Sequence, residues 1–164
     1  MFYINDMGKQ ALNKRQDENV RIVIFVIPFF CILTWLLYVA TEQFIMAFYL
    51  MVLPFIVIYS GFLFVVARNN LKKCNMTITE IERTGNMLTL TTFNTLVFEE
   101  KRIEADLANI KLTPAQYNWY IRRKSLDGLT IVVNKQAFYL VKDFFDEYEE
   151  VARIAAWNKK TIEY

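Results

Sequence analysis

The 164-residue chain contains no histidine, only two cysteines and only four glycines. Without histidine it lacks the commonest general base and metal ligand, and histidine-containing catalytic triads are excluded. The glycines stand singly, so no glycine-rich phosphate loop is present. Cys31 and Cys74 have no partner motif for a zinc site or a disulfide. The chain is therefore predicted not to be an enzyme, with no catalytic or metal-binding residues, no cofactor and no small-molecule substrate.

Charged residues are missing from two long stretches of the sequence. Residues 22–40 form a run of 19 uncharged residues, and after Thr41-Glu42-Gln43 a second run of 24 extends over residues 44–67. A helix rises about 1.5 Å per residue, so the first run reaches roughly 28 Å, close to the thickness of about 30 Å of a bilayer's hydrocarbon core. The pattern predicts a transmembrane helical hairpin over residues 21–68, with spans at about 22–40 and 44–67.

Basic residues flank the two uncharged runs, whereas the turn between the runs has none. The flanking residues are Lys9, Lys14, Arg15, Arg21, Arg68, Lys72 and Lys73. The positive-inside rule therefore places both termini in the cytoplasm or an equivalent compartment, such as the mitochondrial matrix. Residues 1–20 are expected to be a tail on this inner face, part helix and part loose chain. Cys74 should be accessible from the same side. The net charge of +2 is too small to indicate nucleic-acid binding.

Residues 69–164 have the pattern of a small β-domain in which five or six strands form one antiparallel sheet. Turn signals lie at Thr84-Gly85-Asn86, at Asp127-Gly128 and around Asn134-Lys135-Gln136, and a strand is predicted between Leu96 and Ile103. A C-terminal helix, predicted at about residues 143–158 with Asp143 as its cap, closes the domain. Its apolar stripe consists of Phe144, Tyr148, Val151 and Ala155. Together with the hairpin, the predicted fold class is membrane α+β.

Three groups of side chains are candidates for contact with a partner or with lipid. Aromatic residues in the spans, represented by Phe48 and Phe55, could pack against other helices, although they could equally face lipid. The basic Arg122-Arg123-Lys124, next to Trp119 and Tyr120, could bind phospholipid headgroups or an acidic partner, or could simply be solvated. The acidic start of the last helix, with Glu147 and Glu150, could bind a basic surface, or could serve helix capping and solubility.

Several short segments carry a resemblance to a known group of proteins. They are Gly61-Phe62-Leu63-Phe64, Met76-Thr77-Ile78, Leu88-Thr89-Leu90-Thr91-Thr92, Leu129-Thr130-Ile131-Val132 and Phe138-Tyr139-Leu140. In this pattern the chain resembles mitochondrial inner-membrane proteins that combine a helical hairpin with a β-rich matrix domain and act in respiratory-complex biogenesis. The resemblance implies a non-catalytic accessory subunit or assembly factor, with the β-domain and both termini on the matrix side.

The partners expected from this reading are membrane lipids and other subunits of a large membrane complex. The alternative is a membrane-anchored PH-like module that binds lipid headgroups through the basic strand. Such a module could lie in a bacterial plasma membrane with its β-domain on the cytoplasmic side.

Overall fold

The computed structural model describes residues 1–40, 53–121 and 124–156, which divide into two compact units. The first unit combines residues 1–16 with the chain from residue 72 onward, and we call it the β-unit. The second consists of residues 17–71, and we call it the helical unit. The helical unit is thus inserted, along the chain, between two parts of the β-unit.

Long helices make up the described part of the helical unit and extend beyond its boundaries. They are α1 (Asp6–Arg21), a π-helical turn (Ile22–Val26), α2 (Ile27–Ala40) and α3 (Leu53–Asn75). The predicted connecting turn, Thr41-Glu42-Gln43, and the first part of the second span lie outside the described residues.

Within the described residues, the first helical stretch, residues 6–40, contacts helix α3. The side-chain amide of Asn70 donates to Asn19 Oδ1 over 3.1 Å, and the Phe30 and Tyr59 rings meet edge to face at 5.6 Å. Eleven residues separate the two contacts on each helix, from Asn19 to Phe30 and from Tyr59 to Asn70. The helices therefore run antiparallel as neighbours, as the sequence predicts.

The π-helical turn lies directly before Pro28. In this turn the backbone N–H of Ile27 bonds to the carbonyl of Ile22. Proline has no N–H, and its ring clashes with the carbonyl four residues earlier in a regular α-helix. Proline and π-helical turns are both usual causes of helix kinks, so we expect the helix axis to bend here.

In the described part of the chain, two helical stretches are long and apolar enough to cross a membrane, judged by length and composition. They are Asp6–Leu36, with 31 residues, and Leu53–Asn75, with 23 residues. Only 11% and 6% of their most apolar portions are buried within the chain. A core helix of a soluble protein would be mostly buried, so these surfaces remain available for contact with something else.

Antiparallel strands form two sheets in the β-unit. The first sheet has the order β1-β2-β3-β4, with β1 (Phe2–Tyr3), β2 (Ile78–Thr84), β3 (Met87–Thr92) and β4 (Arg102–Asp106). The second has the order β5-β6-β7, with β5 (Lys111–Ile121), β6 (Lys124–Val133) and β7 (Gln136–Val141). Short 3₁₀ turns at Leu107–Asn109 and Lys142–Phe144 precede β5 and the C-terminal helix α4 (Tyr148–Ala156).

Two of the predicted turns are confirmed and one is wrong. Gly85, with φ of 63°, and the pair Asn134 and Lys135, with φ of 49° and 66°, connect their strands as tight hairpins. Asp127 and Gly128 instead lie within β6. A Cβ atom at Gly128 would lie 2.1 Å from the carbonyl oxygen of Leu140 on β7. Glycine is needed there for close approach between strands, not for a turn.

The predicted single sheet and the predicted strand between Leu96 and Ile103 also need correction. The strands divide into two sheets, and β4 begins only at Arg102. The chain between β3 and β4 is instead an irregular segment, which we call the 93–101 loop.

The 93–101 loop is attached to the end of helix α3 by one buried side chain. Asn75 is 1% exposed, and its Nδ2 lies 2.9 Å from the carbonyl oxygen of Phe93 and 2.8 Å from that of Glu99. The carbonyl oxygen of Phe98 lies 3.3 Å away. These loop carbonyls thereby gain a donor that no neighbouring strand supplies.

Thr77, two residues further along, connects the two sheets. It forms an isolated parallel bridge with Tyr139 of β7, where the Tyr139 N–H donates to the carbonyl of Met76 at 3.0 Å. The Thr77 carbonyl accepts from the Phe93 N–H at 2.9 Å, and its hydroxyl bonds to that of Tyr120 on β5. A single residue thus contacts both sheets and the loop.

Residues 1–16 are part of the folded β-unit, so the prediction of a tail is wrong for this segment. Strand β1 pairs with β2, and Ile4 and Leu12 are buried in the same hydrophobic core as both sheets. The apolar side chains at these positions were too few and too widely spaced to indicate a core element on their own.

Asn5 fixes this N-terminal segment against the start of the C-terminal region. Its backbone N–H donates to the carbonyl of Phe144 at 2.8 Å, and its side-chain amide donates to Asp143 O and to Asp146 Oδ1. Its Oδ1 accepts from the Gly8 N–H at 2.9 Å, which caps the first turn of α1.

The C-terminal helix begins later than predicted, although its apolar stripe packs as expected. Helix α4 begins at Tyr148, so Asp143 does not cap it, and Phe144 lies in the preceding 3₁₀ turn. Phe144, Val151 and Ala155 are nevertheless buried in the core. The first hydrogen bonds of the helix run from the N–H groups of Glu150 and Val151 to the carbonyl of Glu147.

The docked N-terminal segment makes Gly8→Ala a sensitive test. A Cβ atom at Gly8 would lie 2.6 Å from Ile4 Cγ1 and 2.8 Å from Phe144 Cβ. Alanine favours a helix over glycine by up to about 1 kcal/mol, whereas overpacking a core costs about 1–3 kcal/mol. We expect the clash to dominate and limited trypsin digestion to cleave faster after Lys9 and Lys14.

Gly61→Ala is the matched control for this substitution, because a Cβ atom at Gly61 meets nothing within 4 Å. It should leave the digestion pattern unchanged. Equal resistance of the Gly8→Ala variant and the unaltered protein would contradict the docking of residues 4–8 against Phe144.

Candidate interaction surfaces

The aromatic side chains of the apolar helices lie largely outside any core. Phe55 is 68% exposed, and its ring stacks parallel to that of Tyr59 at 6.1 Å. Other exposed rings on these helices are Phe25, Phe29, Trp35, Phe62 and Phe64. Phe48 lies outside the described residues. The described rings are therefore open to contact with lipid or with another helix.

An ion pair joins the basic strand to the acidic residues that follow β7. Lys124 is the first residue of β6, and its Nζ lies 2.9 Å from Asp143 Oδ2. Both side chains remain partly exposed, so this ion pair contributes at most about 1 kcal/mol to folding. Its larger consequence is that the charge of Lys124 already has a partner. Arg122 and Arg123 lie outside the described residues.

Five carboxylates cluster in residues 143–150, which we call the acidic turn. Asp143 is paired with Lys124, Asp146 accepts a hydrogen bond from Asn5, and Glu149 lies 3.6 Å from Lys142 Nζ. Glu147 and Glu150 are both exposed, and in the described part of the chain neither has an ion-pair partner. These two carboxylates are the free negative charges of the acidic turn.

The aromatic residues next to the basic strand belong to the core and not to a binding surface. Tyr120 is buried, its ring meets that of Phe144 edge to face at 5.1 Å, and burial raises its pKa well above the usual value. Trp119 stacks on Tyr120 at 3.7 Å, and Lys73 Nζ lies 5.7 Å from the Trp119 ring centre. The Lys73–Trp119 contact was not predicted, because 46 residues separate the two along the sequence.

The described side chains offer no activated nucleophile among the buried tyrosines and cysteines. Burial raises the pKa of the Cys74 thiol to about 12, although the charge of Arg15 opposes this effect. Burial also raises the pKa of Tyr117 to about 12, and its hydroxyl bonds to Thr130 Oγ1 at 3.0 Å. Both groups are protonated and uncharged at neutral pH. Among the described residues, no three His, Cys, Asp or Glu side chains are grouped as metal ligands.

Comparison of the chain with protein-family models, with curated proteins and with solved structures gives no match.

The burial of Cys74 corrects the expectation that this residue is accessible from the inner side, and it leads to a measurable result. In a Cys31→Ala variant, a thiol reagent should find no reactive thiol in the folded protein at neutral pH, because Cys74 is 0% exposed and protonated. Unfolding in denaturant should release one thiol. Rapid reaction of the folded variant would mean that Cys74 is not in the core.

Proposed function

We propose that this chain is a membrane-anchored interaction protein, whose two apolar helices cross the bilayer as a hairpin and carry the β-unit on one side. In this proposal it serves as a non-catalytic accessory subunit or assembly factor of a respiratory-chain complex in the mitochondrial inner membrane. The observation that carries the proposal is the inserted position of the helical unit in the chain.

That position supports an even number of membrane crossings. The β-unit contains residues 1–16 and residues from 72 onward, so the chain leaves this unit and returns to it. Two antiparallel helices, paired through Asn19–Asn70 and Phe30–Tyr59, suit such a path. Their exposed apolar surfaces would cost about 25 cal/mol per Å² in water, which a bilayer removes.

The basic flanks favour the inner side for the β-unit. Arg21 directly precedes the first uncharged run and Arg68 directly follows the second, and no basic residue lies between residues 22 and 67. By the positive-inside rule this side is the mitochondrial matrix, or the cytoplasm if the protein is bacterial.

Two surfaces are suited to hold other subunits. The exposed rings of the helices, including Phe55, could pack against partner helices within the membrane. Outside it, Glu147 and Glu150 present negative charge to a basic partner. The resemblance to respiratory-complex biogenesis proteins supports a partner of this kind.

The alternative function, binding of lipid headgroups through the basic strand, is less favoured. Of its three basic residues, Lys124 is the one described, and it is paired with Asp143. A phospholipid headgroup would have to compete with that carboxylate.

Thiol labelling tests the topology. In the Cys31→Ala background, a membrane-impermeant maleimide should label Glu42→Cys only from the outer side. The same reagent should label Met87→Cys, at a 40% exposed position in the β-unit, only from the inner side. Detergent should open both positions to the reagent. Labelling of both positions from one side of sealed membranes would contradict the hairpin.

Native gel migration tests the interaction role. We expect the unaltered protein to migrate with a large complex, and Glu147→Lys with Glu150→Lys to release it, because the new charges repel a basic partner surface. Glu100→Lys with Glu104→Lys makes the same change of charge at exposed positions elsewhere and should remain bound. Migration of the unaltered protein near its own 19.5 kDa plus detergent would instead favour the lipid-binding alternative.

A further inference from the structure

The 93–101 loop presents two adjacent apolar side chains outward. Leu96 is 74% exposed and Val97 is 57% exposed. No other large apolar side chain in the described ranges is more exposed than Leu96. Single exposed apolar residues are common on protein surfaces, but an exposed pair at a loop tip points to a contact.

The exposure is not a result of a loosely held chain. The Thr95 N–H donates to the Phe98 carbonyl at 3.0 Å, and the Phe98 N–H donates to Thr95 Oγ1 at 2.9 Å. At the base of the loop, the Lys101 N–H donates to Thr92 Oγ1, and Asn75 binds the carbonyls on both sides of the tip. The backbone is held so that the two side chains stay outside the core.

The residues that hold the tip lie close to the apolar runs. The Leu96 N–H donates to Gln16 Oε1 at 3.2 Å, and Gln16 on α1 precedes Ile22, where the first uncharged run begins, by six residues. Asn75 follows the last residue of the second run, Ala67, by eight. Six residues of helix span about 9 Å, and the headgroup region of one leaflet is about 5–8 Å thick. Measured along the helix, Gln16 is thus about one headgroup layer from the start of the first run.

We propose that Leu96 and Val97 insert into the boundary between headgroups and acyl chains of the inner leaflet, as a membrane contact of the β-unit. This inference rests on the proposed membrane hairpin. The occupant is phospholipid, because Gln16 and Asn75, which hold the loop, are within eight residues of the two apolar runs along the sequence. The charges that follow the tip, Glu99, Glu100, Lys101 and Arg102, cancel. The contact is therefore apolar and shallow, with little electrostatic attraction to anionic lipid.

Fluorescence of the full chain in phosphatidylcholine liposomes tests the contact. An environment-sensitive dye is attached to Leu96→Cys in the Cys31→Ala background. The matched control is Met87→Cys, which lies at the opposite end of β3 from the loop. The dye at position 96 should show blue-shifted emission and lose intensity when the lipid is brominated near the glycerol end of its chains. The dye at position 87 should emit as in water and be unaffected by bromine.

Two outcomes would overturn the loop contact. Equal, water-like emission at both positions means that the tip faces solvent. A blue shift at position 96 without bromine quenching means that protein, and not lipid, covers the tip.

A separate sample distinguishes failure of this inference from failure of the proposed function. The unaltered chain labelled at Cys31, which is exposed on α2, should be quenched by lipid brominated near the middle of its chains. If Cys31 is quenched and position 96 is not, only the loop contact is wrong. If Cys31 is not quenched, the membrane hairpin itself is wrong and the loop contact fails with it.

Discussion

Two buried polar side chains at the end of helix α3 hold the β-unit together. Burying an amide or a hydroxyl is costly unless its hydrogen bonds are replaced, and Asn75 and Thr77 replace theirs with loop carbonyls and with Tyr120. Asn75 and Thr77 thereby connect the end of helix α3 to the 93–101 loop and to both sheets. Any change in how this helix ends would be transmitted to each of them.

The β-unit and the apolar helical stretches use different residues of one short chain. The β-unit has a core of its own, which includes Ile4 and Leu12 from before the helical unit and Val151 from the far end of the chain. Within residues 22–39 and 53–66, most of the described side chains are exposed. These exposed side chains are free to contact the surroundings of the helices. Folding of the β-unit depends on a different set of residues.

The sequence allowed prediction of features with local causes. The uncharged runs, the hairpins at Gly85 and at Asn134-Lys135, and the burial of Val151 and Ala155 all follow from neighbouring residues. Features with distant causes were missed. Asn5 forms hydrogen bonds with Asp143 and Asp146, which are 138 and 141 residues away in the sequence. Lys124 forms an ion pair with Asp143, which lies beyond the end of another strand. For the candidate surfaces, exposure of Phe55, Glu147 and Glu150 could be anticipated from composition, whereas the pairing that neutralises the other charges could not.

The contact between Asn5 and Asp146 has a consequence for biosynthesis. The ribosome adds about 5–20 residues per second, so the segment around Asn5 emerges roughly 7–28 s before its partner is made. Both apolar helices are synthesised during that interval. Ile4 and Leu12 stay exposed until the last part of the chain is made, because the core that buries them is incomplete before then. A nascent chain stalled before residue 143 would therefore keep this segment open to chaperones and proteases.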